Sequence, residues 1–383
     1  MLAILIITLF MVALYMGLMQ YYAWGWVLTP TFQPKLTYQP NTKVTVLVPA
    51  RNEATIIEQV LKALLAQTYP KDLLEIVMID DNSEDETANI AWGMTNASAV
   101  TWLNVISLPQ NLSGKKAALA HGVNHASGEL IITTDADCTM GADWVSSIVE
   151  YYETHHYKVL TGPVVFNKVH GPSSMVHRLL YYFQSLDLMG LMFITAGSLR
   201  FKFPHMANGA NFAFEKKLFE AIGGYNGIDK SPSGDDILFL LKAHSHHPGC
   251  AGFIKSKAAI VVTDAAATWP AFWQQRLRWV SKSTGFGDVR LTMVMTFYYL
   301  YALAIVVFGI WACLQPIMLL PFGILLLGKL LPELVMLAHA TAFFGRTREL
   351  VWFLPAQLLH VYYVLRIGIE AQLRKYVWKG RSY

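Results

Sequence analysis

Two kinds of pattern divide the chain. From Met1 to Leu28 no residue is charged, and as a helix at about 1.5 Å per residue this run is roughly 42 Å long, enough to cross a bilayer. It lacks the basic start and small-residue cleavage site of a signal peptide. It ends in Tyr21-Tyr22-Ala23-Trp24-Gly25-Trp26, aromatic residues of the kind that settle at a membrane interface. An N-terminal anchor over residues 1–28 is expected. Lys35 and Lys43 follow, so the positive-inside rule puts the next region in the cytoplasm. The far end repeats the pattern. Leu291 to Leu314 is uncharged, and Pro316 to Ala340 is interrupted only by Lys329 and Glu333, spaced i and i+4 so that they can pair. Leu350 to Ala371 carries Pro355, Gln357, His360, Arg366 and Glu370. It either spans or lies along the surface as an amphipathic helix. The basic tail, 372–383, prefers the cytoplasmic side, which an odd number of spans would deny it; that favours the surface placement. The membrane region at this end is thus 291–371, with two or three helices.

Between residues 42 and 288 the period changes. Val44 to Val48 is a short β-branched run that stops at Pro49. Ala54 to Gln67 follows with helical spacing at Ile57, Val60, Leu61, Leu64 and Leu65. Glu75 to Ile79 is a second strand ending in Asp80-Asp81. The polar turn 82–85 then opens a helix, with Ser83 as the expected N-cap. Leu130 to Thr134 is a third strand, again followed by acids, Asp135 and Asp137. This alternation predicts an α/β fold with an open, mostly parallel sheet, whose ligands bind at the carboxyl ends of the strands.

Composition places the excess. The 383 residues are 54% hydrophobic and 15% charged, whereas an average soluble domain carries about 25% charged residues. The apolar surplus belongs to the two ends, and a disordered chain is excluded. The balance 30 − 26 = +4 is mild and calls for no nucleic-acid partner. Cys138, Cys250 and Cys313 match no zinc or disulfide spacing and fit a reducing compartment. No Gly-x-Gly-x-x-Gly follows a strand and no P-loop occurs, so carboxylates with a hard cation are left to manage any phosphates. Asp135 and Asp137, at i and i+2, point to one side. Two like charges that close call for a cation between them, Mg2+ or Mn2+ bridging a diphosphate.

Taken together, the motifs resemble those of family 2 glycosyltransferases. They are Val46 to Glu53, Ile79 to Ser83, Gly114-Lys115 with Ala117-Ala118-Leu119, Asp135-x-Asp137, Gly209-Ala210-Asn211, Gly223-Gly224-Tyr225, Gly234-Asp235-Asp236 and Gln275-x-x-Arg278-Trp279. They run in the family's order from Val44 to Trp279. The last is similar to the element of membrane-bound cellulose, chitin and hyaluronan synthases and of ceramide glucosyltransferase. The resemblance implies a GT-A fold, a nucleotide-diphosphate sugar donor, a divalent metal and inversion at the anomeric carbon. It assigns Pro49, Arg51, Glu53, Asp80 and Asp81 to donor binding, with Asp81 on the uracil or ribose. Lys115 goes to the nucleotide or its phosphates, Asp135 and Asp137 to the metal with Asp137 the direct ligand, and Asp236 to the base. Many relatives carry Thr-Glu-Asp where this chain has Gly234-Asp235-Asp236, so the base is one of the pair Asp235 and Asp236. Asn211, Gln275, Arg278 and Trp279 fall to the acceptor or diphosphate, and the planar guanidinium of Arg278 suits phosphate.

On a helical wheel, Gln275, Arg278, Trp279 and Lys282 share one face, opposite Trp269, Phe272, Trp273, Leu277 and Val280. An interface helix is expected, its aromatic face in lipid headgroups and its polar face toward the site. Met175 to Arg200 is either a core helix or a membrane-facing element that admits a lipid acceptor; its position between the donor motifs and Asn211 favours the second. The histidines at 121, 125, 244, 246 and 247 are read as surface or core residues. The function expected is an inverting, metal-dependent, membrane-bound glycosyltransferase. It takes a sugar, from UDP by preference, to a lipid or lipid-linked acceptor at the cytoplasmic face. A processive polysaccharide synthase is the alternative, though four helices are few to enclose a polymer channel. A non-enzymatic transporter or scaffold with a nucleotide-binding domain is a third, disfavoured by the few charges in the apolar segments.

Overall fold

The computed structural model describes residues 1–35, 37–98, 101–168, 174–229, 233–281, 286–373, 377–378 and 381–382. Lys282 and the tail residues Arg374, Lys375, Tyr376 and Lys379 lie outside them. The chain enters through α1 (Leu2–Leu28) and builds β1 (Val44–Ala50), α2 (Ile57–Leu65), β2 (Leu74–Asp80), α3 (Thr87–Ser98), β3 (Leu103–Ser107), α4 (Lys115–His125) and β4 (Leu130–Thr133). These four strands are parallel, in the order β3-β2-β1-β4, and β1 is buried on both faces. Its Val44, Val46, Leu47 and Val48 suit such a central strand.

Local chemistry shifts three boundaries. The first strand runs through Pro49 to Ala50 instead of stopping before the proline. Leu47 turns its carbonyl to Thr134 on the β4 side, so Pro49 faces the same way, beyond Leu47↔Thr133 where that pairing ends; its missing N–H costs no ladder bond. The second helix, α2, begins at Ile57, three residues after the expected start. The third begins at Thr87, and Ser83 is not its cap. The Ser83 hydroxyl accepts from the Asn52 amide instead, while Asp85 accepts from the Thr87 amide at 3.0 Å.

The sheet continues through β8 (Phe212–Glu215), antiparallel to both its neighbours, to β6 (Val159–Thr161) and then β9 (Ala251–Phe253), which pairs parallel with β6. A second, three-stranded sheet joins β5 (Thr139–Met140), β10 (Val261–Thr263) and β7 (Val164–Phe166). Helices α5 (Trp144–His155), α7 (Lys216–Ala221), α8 (Ile237–His246) and α9 (Trp269–Ser281) flank them.

Among the described residues, five helices are long and apolar enough to cross a membrane. They are α1, α6 (Met175–Arg200), α10 (Val289–Leu314), α11 (Leu319–Phe343) and α12 (Phe353–Leu373). The helix α6 is the buried one: it packs on α1, α11 and α12 and also on β7 and β9, so it ties the helical layer to the sheets. Its crossing with α1 relies on two glycines. A Cβ on Gly25 would lie 2.1 Å from the Gly197 carbonyl oxygen, and one on Gly197 would lie 2.4 Å from that of Tyr22. Small residues let membrane helices approach this closely. Gly197→Val is therefore expected to destabilise the fold by about 1–3 kcal/mol, the usual cost of overpacking. Thermal unfolding in detergent reads it, and an unchanged midpoint would mean the crossing is loose.

Candidate active site

The acids stand where strands end. Asp80 closes β2, and the Asp81 amide donates to Ala50 O, carrying the β1–β2 pairing one step past the strand. Arg51 laces the two loops together: its Nη1 donates to Asp81 O at 2.7 Å and Asn82 O at 2.6 Å, and its Nη2 pairs with Glu84 at 2.8 Å. Asn52 and Asn82 both take φ +54°, a left-handed turn that asparagine tolerates best among residues with a Cβ. The Asp81 carboxylate accepts from the Gly114 amide with both oxygens, at 3.1 and 3.0 Å. That bond sets the start of α4, and hence the next residue, Lys115.

Lys115 is the hub. Its Nζ lies 2.6 Å from Asp135 Oδ1 and 3.2 Å from Asp235 Oδ2. Burial by itself pulls this ammonium pKa down, but Asp135, Asp235 and Asp236 together hold it well above the ordinary lysine value, so it stays charged. Asp236 sits at the N-terminus of α8. Its Oδ1 accepts from the Ile237 amide at 2.7 Å and its Oδ2 from the Gly209 amide at 3.0 Å. Thr133 at the end of β4 donates to Gly209 O at 2.9 Å, which ties that turn to the sheet. A Cβ on Gly209 would lie 2.9 Å from Lys115 Nζ and 3.0 Å from Asp235 Oδ2. Only glycine leaves room for this cluster to close.

Asp135, Asp137 and Cys138 each bring one ligand atom within 4.8 Å of the others. Carboxylate oxygens suit Mg2+ or Mn2+. Burial first, then the neighbouring Asp135 and Asp137, push the Cys138 thiol pKa up, and a soft sulfur suits Mg2+ or Mn2+ less well than the two carboxylates. Asp135 is drawn toward Lys115, whereas Asp137 is exposed. The two carboxylates thus fit a hard divalent cation, with Asp137 the more accessible.

Lys115, Asp135, Asp137, Asp235, Asp236, Gln275, Arg278 and Trp279 all line one cavity of about 1130 Å³. Pro49, Arg51, Glu53, Asp80 and Asp81 are not in its lining; they form the neighbouring strand-end loops. Asn211 is not in it either. Its Nδ2 donates to Pro163 O and Ala259 O while its Oδ1 accepts from Trp144 Nε1, so every polar atom is engaged within the core. The polar face of α9 does turn to the cavity. Its aromatic face is partly inside the protein, with Phe272 buried against Phe183 of α6 and Tyr363 of α12, ring centroids 5.6 and 5.7 Å away. That departs from the expected immersion in headgroups, because α12 folds back over α9 and takes up the apolar surface. The cavity also runs between the long helices, where Leu18, Tyr22, Leu186, Met192, Met295 and Leu337 line it. Four lining residues there went unassigned in the sequence: Asp187, Arg276, Glu333 and His360. Charge inside an apolar run was the available signal for three of them.

The central sheet and its flanking helices form a GT-A fold. The mannosyltransferase PcManGT of Pyrobaculum calidifontis, solved in complex with GDP-Man and Mn2+, superposes with a TM-score of 0.59 at 19% identity, over 97% of this chain and 99% of that one. Residues 45–223 match the family model described as Glycosyl transferase family 2, and this segment is a family 2 glycosyltransferase domain. A probable glycosyltransferase of Bacillus subtilis, YdaM, is 29% identical over 62% of this chain and 54% of its own length. The beta-monoglucosyldiacylglycerol synthase of Synechocystis sp. is 25% identical over 63% of this chain and 47% of its own. The chain spans about half the length of the curated relatives it matches.

Proposed function

We propose that this protein is a membrane-embedded, inverting glycosyltransferase, which moves a sugar from a nucleotide-diphosphate donor to a lipid acceptor at the cytoplasmic face. One observation carries the reading: a single cavity is lined at one end by the carboxylates and Lys115 and at the other by apolar side chains of α1, α6, α10 and α11. A soluble donor and a lipid acceptor enter such a space from opposite ends. The relative named as a synthase of beta-monoglucosyldiacylglycerol, and the neighbour solved in complex with GDP-Man and Mn2+, support it.

In this reading Asp81 and the loop braced by Arg51 hold the nucleoside. Asp137 and Asp135 would hold a divalent cation, which would supply positive charge against the leaving diphosphate. Arg278, as the diphosphate partner within Gln275-x-x-Arg278-Trp279, adds guanidinium donors there. Asp236, fixed by two backbone amides, takes the proton of the acceptor hydroxyl. The new bond forms from that oxygen to the anomeric carbon as the bond to the diphosphate breaks on the opposite face, which inverts the centre. Lys115 pairs with Asp135 and Asp235, and Asp236, aimed by the Ile237 and Gly209 amides, is the base of the pair.

A panel of UDP- and GDP-sugars incubated with the full chain, a membrane-lipid extract and Mn2+ tests this, with products read by mass. A lipid carrying one added sugar is expected; a ladder of long glycans, or no sugar transfer, would overturn the reading. In the same assay Asp137→Ala should raise the Mn2+ concentration for half-maximal rate by at least about tenfold, the lower end seen when only an outer-shell partner of a metal is lost.

A further inference from the structure

The helical half of the cavity holds two buried polar clusters that differ in one respect. In the first, Glu333 of α11 accepts from Tyr15, from Tyr298 at 3.3 Å and from Lys329 at 2.6 Å, and Lys329 also donates to Gln357 Oε1 at 2.6 Å. That cluster is saturated. The second joins Asp187 of α6, Arg276 of α9 and His360 of α12. Arg276 is fully buried, its guanidinium stacked 4.2 Å from the Trp279 ring centroid, and its Nη2 lies 2.9 Å from Asp187 Oδ2. The contact lacks the alignment of a hydrogen bond. Arg276 Nε, Nη1 and Nη2, Asp187 Oδ2, His360 Nδ1 and, from the residue before Arg276 on α9, Gln275 Oε1 are buried with no hydrogen-bond partner among the described residues. His360 Nε2 stands 3.8 Å from Asp187 Oδ1. All four residues line the cavity.

Buried polar atoms left unmade are costly, and folded proteins keep few of them. Several gathered from three elements around one cavity mark a place that a ligand completes. We propose that Asp187, Arg276 and His360 form the head-group subsite of the acceptor, and that the acceptor is a neutral, hydroxyl-bearing lipid and not a lipid phosphate. The inference rests on the function proposed above and names its substrate class. The chemistry selects the head. Asp187 Oδ2 and Gln275 Oε1 can only accept, so they ask for O–H donors. Arg276 can only donate, so it asks for an oxygen beside them. A hydroxyl supplies both. A phosphate would set its negative charge against Asp187, whose carboxylate already balances the Arg276 guanidinium beside it. Diacylglycerol-like heads fit; polyprenyl phosphates do not. The hydroxyl held here lies in the same cavity as Asp236, the proposed base.

The test uses the full chain in nanodiscs, offered each donor of a UDP- and GDP-sugar panel, with either dioleoylglycerol or a polyprenyl phosphate as acceptor. Glycosylated dioleoylglycerol and no glycosylated polyprenyl phosphate is the expected result. Transfer to the phosphate alone overturns this subsite while leaving the glycosyltransferase reading intact, whereas no transfer from any donor overturns both. Asp187→Asn should raise the KM for the neutral lipid about tenfold more than the KM for the donor, the worth of roughly one lost hydrogen bond. Equal changes in the two KM values would make the residue merely structural. If Asp187→Asn fails to fold, the double variant Asp187→Asn with Arg276→Gln removes both charges together and gives the same reading.

Discussion

Asp236→Asn is expected to lower kcat for sugar transfer by about 10²- to 10⁴-fold, the usual worth of a positioned general base. The substitution is close to isosteric. Asn Oδ1 can still accept from the Gly209 amide, which now meets Asp236 Oδ2 at 3.0 Å, so the turn before β8 keeps its place. The amide has no basicity to receive the acceptor proton, so the loss falls on the chemical step and the donor KM should move little. Asp235→Asn makes the contrast. Asp235 spends one oxygen on Lys115 at 3.2 Å, and removing its charge leaves Asp135, at 2.6 Å, to hold that ammonium. Initial rates at saturating donor and lipid rank the two. If Asp235→Asn falls further in kcat than Asp236→Asn, the base is Asp235, and the backbone bonds to Asp236 are only a helix cap.

The donor half of this arrangement was legible because it is written locally. A strand that ends in Asp80-Asp81, another followed by Asp135 and Asp137, and a helix that opens on Lys115 each declare themselves within a dozen residues. The parallel sheet then has only one edge at which to gather them. What the strand pattern could not show was the work of the loops. Arg51 reads as a ligand-binding cation, yet its guanidinium reaches the carbonyls of residues 81 and 82. Asn211 reads as a polar residue near the acceptor, yet Trp144, Pro163 and Ala259, all distant in sequence, enclose it. The α6 segment was ambiguous for a physical reason. A helix that is apolar all round is suited to lipid and to a protein core alike, and only its packing partners decide. Asp187, Arg276 and His360 were visible singly as charges or imidazoles in apolar surroundings. Their meeting depends on α6, α9 and α12 converging, which no spacing along the chain encodes.

The saturated cluster of the helical layer carries the largest expected effect on stability. Glu333 and Lys329, one turn apart on α11, are both nearly inaccessible and 2.6 Å from each other. Through Tyr15, Tyr298 and Gln357 they bind α1, α10 and α12 to α11. Removing one partner of such a pair strands the other charge in an apolar interior. Glu333→Ala should therefore cost about 3–5 kcal/mol, and it leaves two tyrosine hydroxyls without an acceptor as well. Replacing both charges with apolar residues of similar size, Lys329→Met with Glu333→Leu, removes the stranded charge and should recover most of that loss. The tyrosine hydroxyls and Gln357 Oε1, which loses the Lys329 donor, then remain to be matched. Thermal unfolding in one detergent orders the three proteins: wild type highest, the double variant below it, Glu333→Ala lowest. A Glu333→Ala protein that unfolds at the wild-type temperature would show that the pair is hydrated and does not hold the helices together. A double variant no better than Glu333→Ala would shift the weight from the ion pair to the hydroxyls of Tyr15 and Tyr298.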